Sequence, residues 1–161
     1  METLKENNIP QKLLDRILRY CNYQERSEYE VKQKLKSWAV NPETTGKIIT
    51  RLREQNILND ERFAKLYAKS KLHHNRWGKN KIIYALRQKN IPNIYIEKAV
   101  EEIRPEEWED MLTQILKKKN GSLKEEDLYK RKQKLYAYAA SKGYEHTLIL
   151  SAIEKIVNEN I

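Results

Sequence analysis

Apolar residues recur along this chain at helical spacing, and one set of them occurs three times. The steps of three to five residues are typical of amphipathic helices, each packed along one side. The recurring set is Val31, Leu35, Val40, Ile48, Ile49 and Leu52, then Ile82, Leu86, Ile91, Ala99, Val100 and Ile103, then Leu135, Ala139, Tyr144, Ala152, Ile153 and Ile156. The copies are 51 and then 53 residues apart. A period near 50 predicts helical units docked in series.

We therefore predict an all-α fold of three tandem three-helix repeats, with an elongated or curved shape. The predicted units are residues 11–58, 59–104 and 105–161. Only four glycines and four prolines occur in 161 residues, which also favours helices over a large β-domain. A stack of small units buries less apolar surface than a compact globule of equal mass. We expect the core to be subdivided between the units.

Residues that start and stop helices mark several boundaries. Ser27 with Glu30, and Ser122 with Glu125, have the spacing of reciprocal capping boxes. Asn41 before Pro42 predicts a helix start, while Asn59 and Asp60 compete as the cap of the next unit.

The later boundaries follow from the same kind of reasoning. We predict a turn over residues 72–80 and a polar loop over residues 117–122. Pro105 is predicted to close a helix, Gly143 to end another, and His146 to lie in the turn that follows.

Charge is unevenly distributed along the chain, whose formal net charge is +9. Basic residues exceed acidic ones by three in residues 1–58 and by six in residues 59–104, and the two balance in residues 105–161. Between Phe63 and Ile96 there is no acidic residue. This excess favours a polyanion or an acidic groove as partner, although it could serve solubility alone.

The candidate binding residues are the cations of the middle unit and one cluster of the third. They are Lys65, Lys69, Arg76, Lys79, Lys81, Arg87 and Lys89, with Lys130, Arg131 and Lys132. A solvated helix face is the alternative interpretation of each. Trp77 beside Arg76 could stack on a ligand or pack into the core. Phe63, Tyr67, Leu86 and Ile91 are expected in the core.

Motifs for catalysis or metal binding are absent from the sequence. There is no glycine-rich phosphate loop and no G-x-S-x-G motif, and the adjacent His73 and His74 would point in different directions. We expect no enzyme activity and no cofactor. The lone Cys21 fits a reducing compartment, and no apolar run is long enough for a membrane span. We expect a cytoplasmic monomer.

Several short segments, in order and at suitable spacing, resemble the RecX family of regulatory proteins. They are Arg26-Ser27-x-x-Glu30-Val31-x-x-x-Leu35, Asp60-x-Arg62-Phe63-Ala64, Ser70, Gly78, Leu86-Arg87-x-Lys89-x-Ile91 and Lys142-Gly143-Tyr144. The resemblance covers most of the chain from Tyr20 to Ile156. Asp60 and Arg62 are expected to act structurally, as a cap and as an ion pair to the neighbouring unit.

The resemblance implies a regulatory protein that binds RecA, and above all the RecA filament on single-stranded DNA. It would modulate, mainly by inhibition, the recombinase, ATPase and coprotease activities in DNA repair and the SOS response. The main alternative is a helical protein that binds DNA directly without RecA, because three-helix units resemble helix-turn-helix domains. A nucleic-acid enzyme is the third possibility and would require clustered acidic residues.

Overall fold

The computed structural model describes residues 8–159, and within them the chain forms nine α-helices and no strand. The helices are α1 (Gln11–Tyr23), α2 (Glu28–Ser37), α3 (Pro42–Glu54), α4 (Asp60–His73), α5 (Lys79–Gln88), α6 (Asn93–Glu101), α7 (Pro105–Ser122), α8 (Leu128–Ser141) and α9 (His146–Glu159). They form three groups of three in chain order, as the apolar repeat predicts. The predicted unit limits stay a prediction.

The repeated apolar positions form the core. Of the recurring set, all are buried except Val40 and Val100, which are half-buried. Phe63, Leu86 and Ile91 are also buried, and Tyr67 packs against them. The period of the apolar pattern is therefore sufficient to locate the inner face of each helix.

The core is divided once rather than twice. The first unit has its own cluster, which includes Ile17, Leu35 and Ile48. A second cluster runs from Phe63 to Ile156 without a break, because α7 packs against α4 as well as against α8 and α9. The expectation of a separate core for each unit was thus wrong for the second and third units.

The turn after the second helix has the same backbone conformation in all three units. Ala39, Asn90 and Gly143 stand at equivalent repeat positions and have φ values of 58°, 55° and 97°. In each copy the following amide donates to a carbonyl five residues back, as in Val40 to Leu35 at 3.1 Å. The helix thus ends at a residue in the left-handed conformation, which glycine adopts most easily, and this hydrogen bond satisfies one of its last carbonyls. The repeat is therefore one of backbone conformation as well as of apolar side chains.

Two glycines bring the second and third units into backbone contact. The Gly78 amide donates to the Lys142 carbonyl at 2.7 Å, and the Asn80 amide donates to the Gly143 carbonyl at 2.9 Å. These carbonyls satisfy the first amides of α5, which has no side-chain cap. A Cβ on Gly78 would lie 2.5 Å from the Gly143 carbonyl carbon, so only glycine fits.

Several predicted boundaries need correction. Residues 117–122 are the last turns of α7, and Asp127 rather than Ser122 caps α8, accepting from the Lys130 amide at 2.9 Å. Pro105 begins α7 instead of closing α6, and His146 begins α9 instead of lying in a turn. The predicted turn over 72–80 narrows to residues 74–78. Asn41, Pro42 and Gly143 act as predicted.

Replacing Ala39 by glycine should stabilise the protein. Alanine at a φ of 58° carries steric strain that glycine lacks, and this outweighs the extra freedom of glycine in the unfolded chain. We expect the free energy of unfolding, from urea titration followed by circular dichroism, to rise by about 0.5–1 kcal/mol. Asn90→Gly is the control, because asparagine tolerates this conformation, and it should change little. A loss of stability in Ala39→Gly would contradict the assignment.

Replacing Gly143 by alanine should destabilise the joint between the second and third units. The new Cβ would lie 2.6 Å from the Lys81 backbone nitrogen, at a φ that alanine disfavours. We expect a loss of about 2 kcal/mol or more in the same measurement. Gly46→Ala is the matched control: this glycine lies inside α3, and an added Cβ would have no atom within 4 Å, so its replacement should stabilise the helix.

Candidate functional site

Glutamates from outside the acid-free stretch between Phe63 and Ile96 pair with lysines inside it. Lys65 lies 3.4 Å from the Glu61 carboxylate and 3.4 Å from that of Glu102, and Lys69 lies 3.7 Å from Glu102. Lys98 also lies 3.4 Å from Glu61. These two glutamates flank the acid-free stretch in sequence and come beside it because α4 packs along α6. Two of the candidate cations are therefore partly neutralised where they stand.

Helix α5 is paired with a neighbouring unit at each end. Lys79 at its start lies 3.7 Å from Glu145 of the third unit. Lys89 at its end donates to Glu30 of the first unit at 2.8 Å. Arg87 is exposed on the same helix, and the described residues place no carboxylate within ion-pair distance of it. Of these three candidates, Arg87 is the one left to face a ligand.

The loop before α5 holds Arg76 and Trp77 in different settings. Arg76 is exposed, with a φ of 61°, and its carbonyl accepts from the Tyr144 hydroxyl at 3.2 Å. Trp77 is half-buried against the core, and its ring has the ammonium groups of Lys71 and Lys81 at 4.9 Å each. Trp77 thus combines core packing with cation–π contact, and both cations come from this chain.

The basic cluster of the third unit separates into three different environments. Arg131 is enclosed by carbonyls: it donates to the Asn120 carbonyl at 2.9 Å, to the Leu123 carbonyl at 3.2 Å and to the Glu125 carbonyl. These acceptors lie at the C-terminal end of α7 and in the loop that follows, so Arg131 holds that loop in place. Lys132 lies 3.2 Å from Glu154. Lys130 is exposed.

The segment around Arg26 and Ser27 forms the N-terminus of α2. Ser27 is fully buried, and its hydroxyl accepts from the Glu30 amide at 3.1 Å. The predicted return bond from Glu30 is absent from the described contacts, because that carboxylate accepts from Lys89 instead. Arg26 donates to the Tyr20 carbonyl at 3.1 Å and lies over the Tyr20 ring.

Asp60 and Arg62 connect the first unit to the second. Asp60 is the first residue of α4, yet its carboxylate accepts from the Glu28 amide of α2 at 3.0 Å, while Asn59 caps α4. The Asp60 carboxylate therefore serves the N-terminus of α2 from the first turn of α4. Burial raises the pKa of Asp60, although the bond from the Glu28 amide opposes the rise. Arg62 lies 2.7 Å from Glu25.

Glu28 also forms an ion pair within the first unit, next to this joint. Its carboxylate accepts from Arg53 of α3 through both oxygens, with one of the distances 2.7 Å. The hydrogen bond from Arg53 lowers the pKa of Glu28, against the effect of burial. The joint between the first and second units is made largely by the charged side chains of Asp60, Arg62 and Lys89.

Cys21 and His146 carry two further ionisable side chains of the described range. Burial raises the pKa of the Cys21 thiol to about 11, which leaves it protonated at neutral pH. His146 shares a hydrogen bond of 2.7 Å with the Tyr136 hydroxyl. Within residues 8–159 no three acidic, histidine or cysteine side chains are grouped so that they could hold a metal ion. No helix in this range is both long and apolar enough to cross a membrane.

Family models match each of the three helical groups. They are described as the first, second and third three-helix domains of RecX and match residues 14–52, 59–100 and 106–153. The chain belongs to the RecX family of regulatory proteins. The resemblance drawn from the sequence segments is thereby confirmed, as are the all-α class and the tandem order of three-helix domains.

Individual RecX proteins are similar to this chain over most of its length. The regulatory protein RecX of Clostridium perfringens (strain 13 / Type A) is 33% identical over 135 residues, which are 83% of this chain and 63% of the relative. The chain therefore spans about three fifths of that relative's length. The regulatory protein RecX of Prosthecochloris aestuarii is 30% identical, with 91% of this chain and 94% of the relative covered.

Solved RecX structures have the same fold. A crystal structure of RecX from Lactobacillus salivarius matches with a TM-score of 0.81 at 21% identity, over 90% of this chain and 94% of that one. Another crystal structure, of a regulatory protein RecX, matches with a TM-score of 0.82 at 25% identity, over 89% and 72% of the two chains. The first supports the fold alone because its identity is low.

Removing the Asp60 carboxylate should weaken the joint between the first two RecX domains. Asp60→Ala leaves the Glu28 amide without its acceptor, which we expect to lower the free energy of unfolding by about 1–2 kcal/mol. Asp110→Ala is the control, since Asp110 is exposed on α7, and it should change stability by less than about 0.5 kcal/mol. Equal effects in the two variants, measured by urea titration, would contradict the role of Asp60.

Proposed function

We propose that this chain binds RecA, and the RecA filament on single-stranded DNA, and modulates RecA mainly by inhibition. The activities affected would be recombination, ATP hydrolysis and the coprotease activity that induces the SOS response. Membership of the RecX family across all three domains is the observation that carries the proposal. The role requires no chemistry by the chain itself and no cofactor.

The tandem architecture supports binding to a filament. Three linked domains can contact several protomers at once, and the linkage makes each further contact intramolecular. Weak contacts by single domains then add up to tight binding of the whole chain. A partner with a repeating surface, such as a filament, suits such a protein better than a single small partner does.

The remaining basic surface of the middle domain is the contact that we propose. Arg76 lies in the loop before α5 and Arg87 in the last turn of α5; both are exposed, and neither has a carboxylate partner among the described residues. Lys65, Lys69 and Lys79 contribute less, because their ion pairs reduce the field that they present. The group of contact residues that we propose is therefore smaller than the one predicted from the sequence. Arg131 is not part of it, because its guanidinium donates to backbone carbonyls.

Stoichiometric amounts of the protein should slow ATP hydrolysis by RecA on single-stranded DNA and shorten its filaments. The measurements are a coupled ATPase assay and filament lengths from negative-stain electron microscopy. A chain that leaves both unchanged, at concentrations equal to RecA, would contradict the proposal. If it also bound free DNA tightly, the alternative of a direct DNA-binding protein would replace it.

A paired charge variant tests the contact surface. Arg76→Gln with Arg87→Gln should raise the concentration for half-inhibition of the RecA ATPase by about threefold to tenfold, because two charges facing an acidic partner are lost. Lys118→Gln with Lys155→Gln removes the same net charge from exposed positions of the third domain and should have a smaller effect. Equal effects would show that net charge, and not this surface, determines binding.

A further inference from the structure

A cavity of about 350 Å³ lies where the second unit meets the third. Four helix ends border it: the start of α5, the end of α6, and the starts of α7 and α9. Pockets that hold small organic molecules have volumes of about 300–1,000 Å³. The cavity is therefore large enough for one small molecule.

The floor and walls of the cavity are apolar. Ile103, Trp108 and Tyr144 line it, although each of these side chains is at most 5% exposed. The half-buried Val100 and Leu148 complete the walls. A molecule that fills this space would remove its own apolar surface, and that of these side chains, from water. The cavity thus favours a ligand with an apolar body.

Trp108 has a polar group without a partner. Its side chain is 5% exposed, and its indole N–H donates to no acceptor among the described residues. No side-chain nitrogen or oxygen in this range is both fully buried and unpaired, so solvent reaches this N–H. Since the side chain lines the cavity, the N–H opens into it. A buried indole usually has a hydrogen-bond acceptor, and a bound molecule could supply the one that is missing here.

Carboxylates surround the mouth of the cavity. Glu101, Glu109 and Glu145 line it together with one cation, Lys79. Lys79 lies 3.7 Å from Glu145, so these two charges offset each other. Glu101 and Glu109 are exposed, and no cation lies within ion-pair distance of them among residues 8–159. Three carboxylates against one ammonium group leave the mouth with a net charge of −2, in a chain whose net charge is +9.

The helix ends at the cavity do not reverse this sign. The N-terminus of a helix carries partial positive charge, which favours anions. The first amides of α5 are bonded to the carbonyls after α8, and the Arg104 amide before α7 is bonded to the Glu107 carboxylate at 2.9 Å. The C-terminus of α6 adds partial negative charge. The unpaired Glu101 and Glu109 therefore determine the charge that a ligand meets at the mouth.

We propose that this cavity binds a small organic cation with an apolar body, such as an arylalkylamine. Its body would pack against Trp108 and Leu148, and its ammonium group would face Glu101 and Glu109. An oxygen on the body could accept from the Trp108 N–H. The inference goes beyond the proposed function and does not depend on it, because the basic surface proposed to meet RecA is no part of the mouth or the walls.

A small cation fits this cavity better than other ligands do. A nucleotide or another anion would be repelled by the unpaired carboxylates. A metal ion needs grouped ligands, and the described residues contain no such group. A helix of a partner protein is about 10–12 Å wide with its side chains, so it would contact the mouth without reaching side chains as deeply buried as Ile103 and Trp108.

A bound cation would also join the second and third units more firmly. It would contact α6 on one side of the boundary and α7 and α9 on the other. A ligand that binds the folded protein and not the unfolded chain stabilises the fold by mass action. The midpoint of urea unfolding should therefore rise with the concentration of the ligand.

Two-dimensional ¹H–¹⁵N NMR of the full chain tests the site with three probes of one shape. They are 2-phenylethylamine, a cation, 2-phenylethanol, which is neutral, and 3-phenylpropionate, an anion. The chain has three tryptophans, and the indole signal of Trp108 is assigned by its loss in Trp108→Phe. We expect the amine to shift this signal saturably, with a dissociation constant on the order of 1 mM, as a ligand of this size allows. The signal of Trp38 in the first unit should not move.

The charge of the probe should decide its affinity. The alcohol should bind about threefold to tenfold more weakly than the amine, because it lacks the attraction to two exposed carboxylates. The propionate should bind more weakly still, since like charges repel.

A rim variant with a matched control tests the carboxylates. Glu101→Gln with Glu109→Gln should raise the dissociation constant of the amine about threefold to tenfold, to that of the alcohol. Glu106→Gln with Asp110→Asn removes the same charge from exposed positions of α7 that do not line the cavity, and should change the constant less than about twofold. Circular dichroism of both variants verifies that helix content is kept.

Three results would overturn the inference. One is no saturable shift of the Trp108 signal at about 10 mM amine, ten times the expected constant. Another is binding of the alcohol or the propionate as tightly as the amine, which would remove the selectivity for a cation. The third is equal weakening in the rim and control variants. Failure of RecA inhibition, with amine binding intact, would count against the proposed function and leave this site in place.

Discussion

The contact of Gly78 with Gly143 is the constraint on which the arrangement of the second and third units depends. Each glycine lies where a Cβ would overlap the other unit, so the two backbones approach as closely as hydrogen bonding allows. The carbonyls after α8 then take the place of a cap for α5. Because this joint fixes the start of α5, the residues that follow it, including Ile82 and Leu86, enter a core shared with α7 to α9. Backbone contact and shared core thus depend on each other.

The joint between the first and second units is of another kind. Asp60, Arg62 and Lys89 reach across it to the Glu28 amide and to the carboxylates of Glu25 and Glu30, while the apolar clusters on the two sides stay separate. Partly exposed ion pairs contribute little each, and salt screens them. The contacts that hold the first unit to the second therefore contribute less to the free energy of folding than those that join the second unit to the third. The sequence segments that resemble the RecX family include residues of both joints, such as Asp60 and Gly78.

Apolar spacing was enough to predict that the helices exist, which faces they bury and their tandem order, because side chains three or four residues apart share one face of a helix. It did not predict which side chains meet across units. Glu30 has the spacing of a capping box but lies beside Lys89, which is 59 residues away. Arg131 belongs to a basic cluster in sequence, yet the C-terminal end of α7 surrounds it with carbonyls. Ser122 lost the role of cap because α7 continues through residues that favour turns, and Asp127 was better placed. Long-range pairing of this kind leaves no local pattern.

The same limit affects charge. An acid-free stretch in sequence is not an acid-free surface, because α4 and α6 place Glu61 and Glu102 beside the lysines of that stretch. By sequence, the excess of positive charge lies in the middle unit. In space, cations that have no carboxylate partner among the described residues occur in all three units. Lys71 has the Tyr67 ring one helical turn away, whereas Lys65 has the Glu61 carboxylate there and the Glu102 carboxylate across from α6, so two lysines of the same helix face groups of different charge. What a basic protein of this kind offers to a polyanion is therefore decided by the neighbours of its cations more than by their number.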